Sequence, residues 1–190
     1  MDDKCLRILF IGNSHTYMND LPALVKANAE ENDYSCDIAM IAHGGWYLAN
    51  HVKEKEARFN VVHGRYDYVV LQEHSHPFDH IEEYRKAVKT IAAWAKEVGS
   101  TIVIYGTWAR KDDEAAQDYM NKINREVASE NNALLASVGE TWWGYMKEHP
   151  DLELYQDDGA HASLVGSEYA AKIIWETIEE DITRKQINLS

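Results

Sequence analysis

Ser14, Asp158 and His161 are the residues whose types and spacing could do covalent chemistry. Ser14 lies in Gly12-Asn13-Ser14-His15, directly after the apolar run Leu6-Arg7-Ile8-Leu9-Phe10-Ile11. A serine on such a strand-to-helix turn can present its hydroxyl as a nucleophile, with backbone N–H groups beside it. The same position suits a helix cap, and Ser14 alone is compatible with either role. Asp158-Gly159-Ala160-His161 sets a carboxylate three residues before an imidazole on a glycine-containing turn. One loop can thereby deliver a base and the carboxylate that orients its Nδ1–H. The alternative is a solvated turn in which Asp158 caps a neighbouring N–H.

Acyl transfer also needs donors aimed at the developing oxyanion. The candidates are the Ser14 N–H, the N–H of Gly44 or Gly45, and the side-chain amide of Gln72, with His74 a rival for the last role. Each has a plainer use: the glycine pair as a turn, Gln72 as a polar group satisfied by loop backbone. Trp46 and Trp108 are candidates to face substrate, stacking on a sugar or walling an acyl pocket. Core packing is the expected use for one of Trp142 and Trp143. Glu73, His74, His76, Asp79 and His80 are metal-ligand types. With no second ligand set they suggest a polar loop lining a cleft, and no metal or organic cofactor is expected.

These residues need a frame. Strand-like runs at Leu6–Ile11, Cys36–Ala42, Tyr68–Leu71, Thr101–Tyr105 and, more weakly, Ala133–Val138 alternate with helical stretches. The runs are apolar without alternation, which predicts burial on both faces of a parallel sheet. Between them, Ile81, Tyr84, Val88, Ile91, Ala95 and Val98 form one helical stripe, stopped by Gly99. Ala116, Tyr119, Ile123 and Val127 form another, with Asp112 and Asp113 as candidate caps. Further helices are predicted over about 20–32 and from Ser163 to about Ile182. The pattern predicts an α/β layered domain with right-handed crossovers. In such sheets ligands bind beyond the carboxyl ends of the strands, which is where the residues above fall.

Composition narrows the partners. The 190 residues fit one domain, 1–190. The net charge of −13 argues against nucleic acid and against anionic membranes. A small-molecule or carbohydrate ester is easier to accommodate. Cys5 and Cys36 show no metal or redox spacing and are expected to be reduced thiols. Met1-Asp2-Asp3-Lys4 lacks the features of a secretory signal, and no run approaches a membrane span, so a cytoplasmic location is expected.

Ile8 to Thr16, with Gly12-Asn13-Ser14 at its centre, resembles the first block of the SGNH (GDSL-type) serine esterases and hydrolases. Asp158-Gly159-Ala160-His161-Ala162-Ser163, followed by Gly166, Tyr169 and Ala170-Ala171, resembles their last block, and Gly44-Gly45 matches the glycine of the second. The resemblance spans nearly the whole chain. It implies a three-layer, flavodoxin-like α/β/α sandwich on a five-stranded parallel sheet. It also implies a triad of Ser14 as nucleophile, His161 as base and Asp158 as its orienter, and oxyanion donors from the serine, a second-block glycine and a third-block side chain. Three positions depart from the family. Asn13 replaces an acidic residue, Ala162 stands where proline is frequent, and Leu71-Gln72-Glu73-His74-Ser75 replaces Gly-x-Asn-Asp. By count His74 falls on the asparagine; by chemistry Gln72 is the better amide donor. The implied activity is hydrolysis of a short acyl ester, acetyl foremost, on a carbohydrate or similar alcohol. The alternatives are a thioesterase or lysophospholipase, and a carbohydrate-binding module without catalysis, which the altered third block would favour.

Overall fold

Apolar strands joined by amphipathic helices can bury both sheet faces only in layers. The computed structural model describes residues 5–188. Its sheet consists of β1 (Leu6–Gly12), β2 (Cys36–Ala42), β3 (Tyr68–Leu71), β4 (Thr101–Tyr105) and β5 (Leu134–Ala136). All pairings are parallel, in the order β2-β1-β3-β4-β5. That is the flavodoxin-like order. The helices are α1 (Ser14–Tyr17), α2 (Leu21–Glu31), α3 (Leu48–Lys53), α4 (Lys55–His63), α5 (Ile81–Val98), α6 (Ala116–Glu130), α7 (Val138–Glu148) and α8 (Leu164–Ile187).

The period-two geometry of the strands divides the core. Leu9, Ile11, Val69, Leu71, Ile102 and Ile104 meet α3, α4, α5 and α6 on one face. Ile8, Phe10, Tyr68, Val70, Val103 and Tyr105 meet α2, α7 and α8 on the other. Both faces are covered, which is why the strands carry no polar alternation.

Local departures from the expected pattern have local causes. The fifth strand stops at Ala136, because Val138 already begins α7. The α5 stripe ends at Ala95; Val98 is turned to solvent as the chain leaves through Gly99, whose φ is +77°. No side chain caps α6, and Asp113 contributes only its carbonyl, to the Ala116 N–H. The short α3 and α4 carry too few apolar residues to reveal a stripe: in α4 only Ala57 and Val61 are buried. Cys5 and Cys36 are free, and burial pushes the Cys36 thiol up to about 11. Among the described residues no helix is long and apolar enough to cross a membrane.

The strand order reverses between β1 and β3. From β1 the chain crosses to β2 on one side, and it returns to β3 on the other. The loops after β1 and β3 therefore part from each other and leave a crevice at the carboxyl edge of the sheet. Ser14 follows β1 and the segment Gln72–His76 follows β3, so the topology sets both at this crevice.

Candidate active site

The turn after β1 is held from several sides. Ser14 opens α1, and Asn13 caps it by accepting from the His15 N–H at 3.1 Å. The Asn13 side-chain amide donates to the Trp46 carbonyl at 2.9 Å. Gln72 Oε1 accepts from the Asn13 N–H at 2.9 Å and from the Thr16 hydroxyl at 3.0 Å. His51 Nε2–H donates to the Gly12 carbonyl at 2.8 Å. Gly12 must be glycine for this packing. A Cβ there would lie 2.3 Å from Thr16 Oγ1 and 2.6 Å from Gln72 Oε1.

The last block supplies the partners. Ser14 Oγ donates to His161 Nε2 at 2.8 Å, and His161 Nδ1–H donates to Asp158 Oδ2 at 2.6 Å. The second bond fixes the tautomer that leaves Nε2 free to accept. Asp158 Oδ1 accepts from the N–H groups of Ala160 and His161, each at 2.9 Å. Burial pushes the Asp158 carboxyl up. The His161 ring and the two backbone N–H groups outweigh that and hold it well below the usual carboxylate range. Asp158 is therefore ionised across the neutral range.

The loop carrying these groups is itself pinned. Tyr155 and Ala162 form an antiparallel bridge across it, and Ser163 caps α8 by accepting from the Gly166 N–H at 3.1 Å. Trp108 Nε1–H donates to the Ala160 carbonyl at 2.9 Å. Arg110 donates to the Asp158 carbonyl at 3.1 Å. Asn19 donates to the Ala162 carbonyl at 3.0 Å. These contacts hold the turn although Ala162 stands where proline is frequent.

His15 is stacked on His161, with ring centroids 4.9 Å apart, and meets His76 and Trp108 edge-on. Burial lowers the His15 pKa well below 6.5, and the neighbouring His76 and His161 rings lower it further. Burial, with Arg110 next, brings His76 down to about 4. Both rings are neutral near pH 7.

A cleft of about 340 Å³ opens over Ser14 and His161, with Gly45, His74, His76 and Arg110 on its walls. Gly45 has φ +73° and follows Gly44 in the turn closed by the Trp46 N–H on the His43 carbonyl, at 3.1 Å. That conformation favours glycine. Among the described residues neither the Ser14 N–H nor the Gly45 N–H bonds to another protein group. Two unspent donors at the rim of a cleft that holds a serine hydroxyl can bind an oxyanion. Gly44 is exposed and does not line the cleft.

Several expected roles need correction. Gln72 is buried, its oxygen committed to Asn13 and Thr16 and its amide N–H to the Glu73 carbonyl. It does not line the cleft, so its remaining amide N–H is not placed to meet an oxyanion there. His74 lines the cleft, but its Nδ1–H donates to the Pro77 carbonyl at 3.0 Å. In the neutral ring Nε2 then carries a lone pair and cannot donate. Trp108 has no exposed surface; it stacks on Trp142 at 3.8 Å and supports the His161 loop. Trp46 lies beside His43 and outside the cleft, and contributes its backbone carbonyl to Asn13. Trp142 is the core member of its pair, as expected. Glu73 and His74 turn to backbone groups, and no three His, Cys, Asp or Glu side chains among the described residues could hold a metal.

His15 and Arg110 were not singled out for this site by the sequence, and Glu73 and His76 only as members of a polar loop lining a cleft. Only the packing of separate loops brings them together, and no motif spacing marks them.

No protein-family model matches the chain, and no curated protein matches it. Solved structures do. A Slackia heliotrinireducens protein assigned to the SGNH hydrolases is 29% identical, with a TM-score of 0.80, covering 92% of this chain and 100% of the other. A carbohydrate esterase family 3 protein from Talaromyces cellulolyticus is 12% identical, with a TM-score of 0.75 over 94% of this chain and 99% of that one. The acetyl xylan esterase AlAXEase is 14% identical, with a TM-score of 0.72 over 91% of this chain and 100% of that one. The latter two likenesses speak for the fold. The first and last sequence blocks meet at the switch point of a flavodoxin-like sheet, and the chain has the fold of the SGNH (GDSL-type) hydrolases, with a 29% identical protein assigned to them among its neighbours.

Proposed function

We propose that this hydrolase cleaves a short acyl ester, acetyl foremost, of a carbohydrate or similar polar alcohol, using Ser14, His161 and Asp158 as its triad. The observation that carries this reading is the unbroken hydrogen-bonded line from Ser14 Oγ through His161 to Asp158 at the floor of an open cleft. As Ser14 Oγ attacks the ester carbonyl, His161 Nε2 takes the hydroxyl proton. The carbonyl π electrons move to oxygen, where the N–H groups of Ser14 and Gly45 stabilise the charge. Collapse expels the alcohol, which leaves with the proton from Nε2. Water, deprotonated by the same nitrogen, then attacks the acyl-serine and releases the acid. Asp158 remains ionised and holds the imidazolium in place.

The lining of the cleft favours a small acyl group and a polar alcohol. Apart from Gly45 and Ala160 every residue on it carries a polar side chain, including Asn13, His74, Ser75 and Arg110. A long acyl chain would find no large apolar side chain on that lining to offset its desolvation. The carbohydrate preference rests on analogy with the esterases that share the fold.

Ser14→Ala is expected to abolish turnover of 4-nitrophenyl acetate while the melting temperature stays close to wild type. A fluorophosphonate probe should label Ser14 in the parent chain. Turnover surviving in the variant would sink the nucleophile assignment, and an unlabelled parent chain would favour a module without catalysis. Rates rising steeply from acetyl to octanoyl esters would overturn the acyl preference.

A further inference from the structure

We propose that Gln72 and Glu73, side by side at the end of β3, are positioning residues of this site: Gln72 fixes the turn that carries Ser14, and Glu73 fixes the loop that carries Gly45. The inference rests on the ester-hydrolase reading above and adds what sets the two oxyanion donors relative to each other.

Both side chains are buried, and both direct their hydrogen bonds to loops at the crevice. Gln72 Oε1 accepts from Asn13 and Thr16, one residue before and two after the nucleophile. Each Glu73 carboxylate oxygen lies 3.3 Å from the Leu48 N–H at the start of α3, three residues after Gly45. Glu73 Oε1 also accepts from the His74 N–H at 2.7 Å. Gln72 in turn donates to the Glu73 carbonyl, so the two clamps share a backbone. A buried polar group without partners is costly, and here every partner belongs to a loop that carries or borders an oxyanion donor. The third-block side chain therefore serves from behind: it holds the backbone donors instead of meeting the oxyanion itself.

A carboxylate suits position 73 because only N–H donors point at it, and ionised it offers acceptors alone. The titratable groups that face it are Tyr47 before α3, His74 and Asp79 in the loop after β3, and Tyr84 on α5; none is a lysine or arginine. Burial pushes its pKa up to about 7, with Asp79 adding to the rise, although the N–H groups of His74 and Leu48 pull it down. As pH falls through that value the carboxyl gains an O–H, which faces N–H groups in place of an acceptor. The Gly45 loop then loses its anchor, and turnover should fall.

The experiment follows hydrolysis of 4-nitrophenyl acetate from about pH 5 to pH 9 by the full chain, by Glu73→Gln and by Thr16→Val, a mild variant that removes one donor to Gln72. In the parent chain kcat should fall as pH drops through about 7. Glu73→Gln should lose the fall centred there and give a kcat about tenfold lower near pH 8, with KM within about twofold. Thr16→Val should lower kcat about threefold and keep the parent's acid limb. The same fall near pH 7 in Glu73→Gln overturns the role of Glu73. Unchanged kcat in Thr16→Val overturns the role of Gln72, and a loss confined to KM in either variant overturns the positioning role for that residue. Turnover that requires Ser14 but ignores Glu73 and Thr16 sinks the clamp alone; turnover that survives Ser14→Ala sinks the function beneath it.

Discussion

At the scale of single residues the site is a set of competing claims on protons and lone pairs. In the proposed triad Asp158 orients His161 by taking its Nδ1–H, and two backbone N–H groups add to the His161 ring in holding the carboxylate charged. His15 and His76 show the opposite treatment. Burial holds both rings neutral, and His76 Nε2 and His15 Nδ1 have no hydrogen-bond partner among the described residues. A neutral ring stacked on His161 leaves the base without a second fixed charge at its face. This has a cost in acid, and its sign follows from proton linkage. The folded pKa of His76, about 4, lies below its ordinary 6.5, so the unfolded chain binds the proton more tightly between those values. The stability that the neutral ring preserves near pH 7 is lost as pH falls from about 6.5 towards 4. Melting temperature should therefore decline across that interval, and His76→Phe should flatten part of the decline. A parallel decline in the variant would assign the effect elsewhere.

At the scale of elements the proposed triad depends on groups buried away from the cleft. Trp108 is the clearest. Its indole is fully buried, its N–H bonds the Ala160 carbonyl, and its face stacks on Trp142 of α7. Trp108→Phe keeps an aromatic body and removes the donor, leaving a buried carbonyl unpaired. The expected cost is about 1–3 kcal/mol, which for a chain of this size lowers the melting temperature by roughly 2–4 °C per kcal/mol. Turnover should drop with it, because that carbonyl adjoins His161; calorimetry beside steady-state kinetics would check both. The same residue marks a limit on what sequence conveys. A tryptophan just after a strand at the binding edge suits a substrate platform and a loop support equally, and only its burial decides. Strands β1 to β4 were legible as uninterrupted apolar runs, and α5 as a long stripe closed by Gly99. Helices α3 and α4 were not, because each is too short for its few buried residues to show a period. Gln72 was legible as a polar residue at the right strand end but not as a strut, since its partners Asn13 and Thr16 lie 59 and 56 residues away in sequence.

At the scale of the whole molecule, strand order and net charge decide what reaches the site. The reversal between β1 and β3 could be anticipated from alternating elements and the two terminal blocks, and it accounts for where the crevice opens. The net charge of −13 should repel anionic esters on approach. At low ionic strength kcat/KM for an acetyl ester of an anionic alcohol should be lower than for a neutral analogue, and added salt should narrow the gap as screening increases. A gap insensitive to salt would point to a local contact, with Arg110 the first residue to test. The line from Ser14 to His161 spans 147 residues of sequence, and α2, just after the nucleophile turn, packs against α8, just after the base. A chain synthesised from its N-terminus can settle the serine turn long before its base exists. On the proposed mechanism, reactivity at Ser14 is acquired late, when α8 docks. Labelling of Ser14 during translation would serve as a clock for the arrival of the C-terminal segment: a nascent chain halted before His161 should be folded in part and chemically silent.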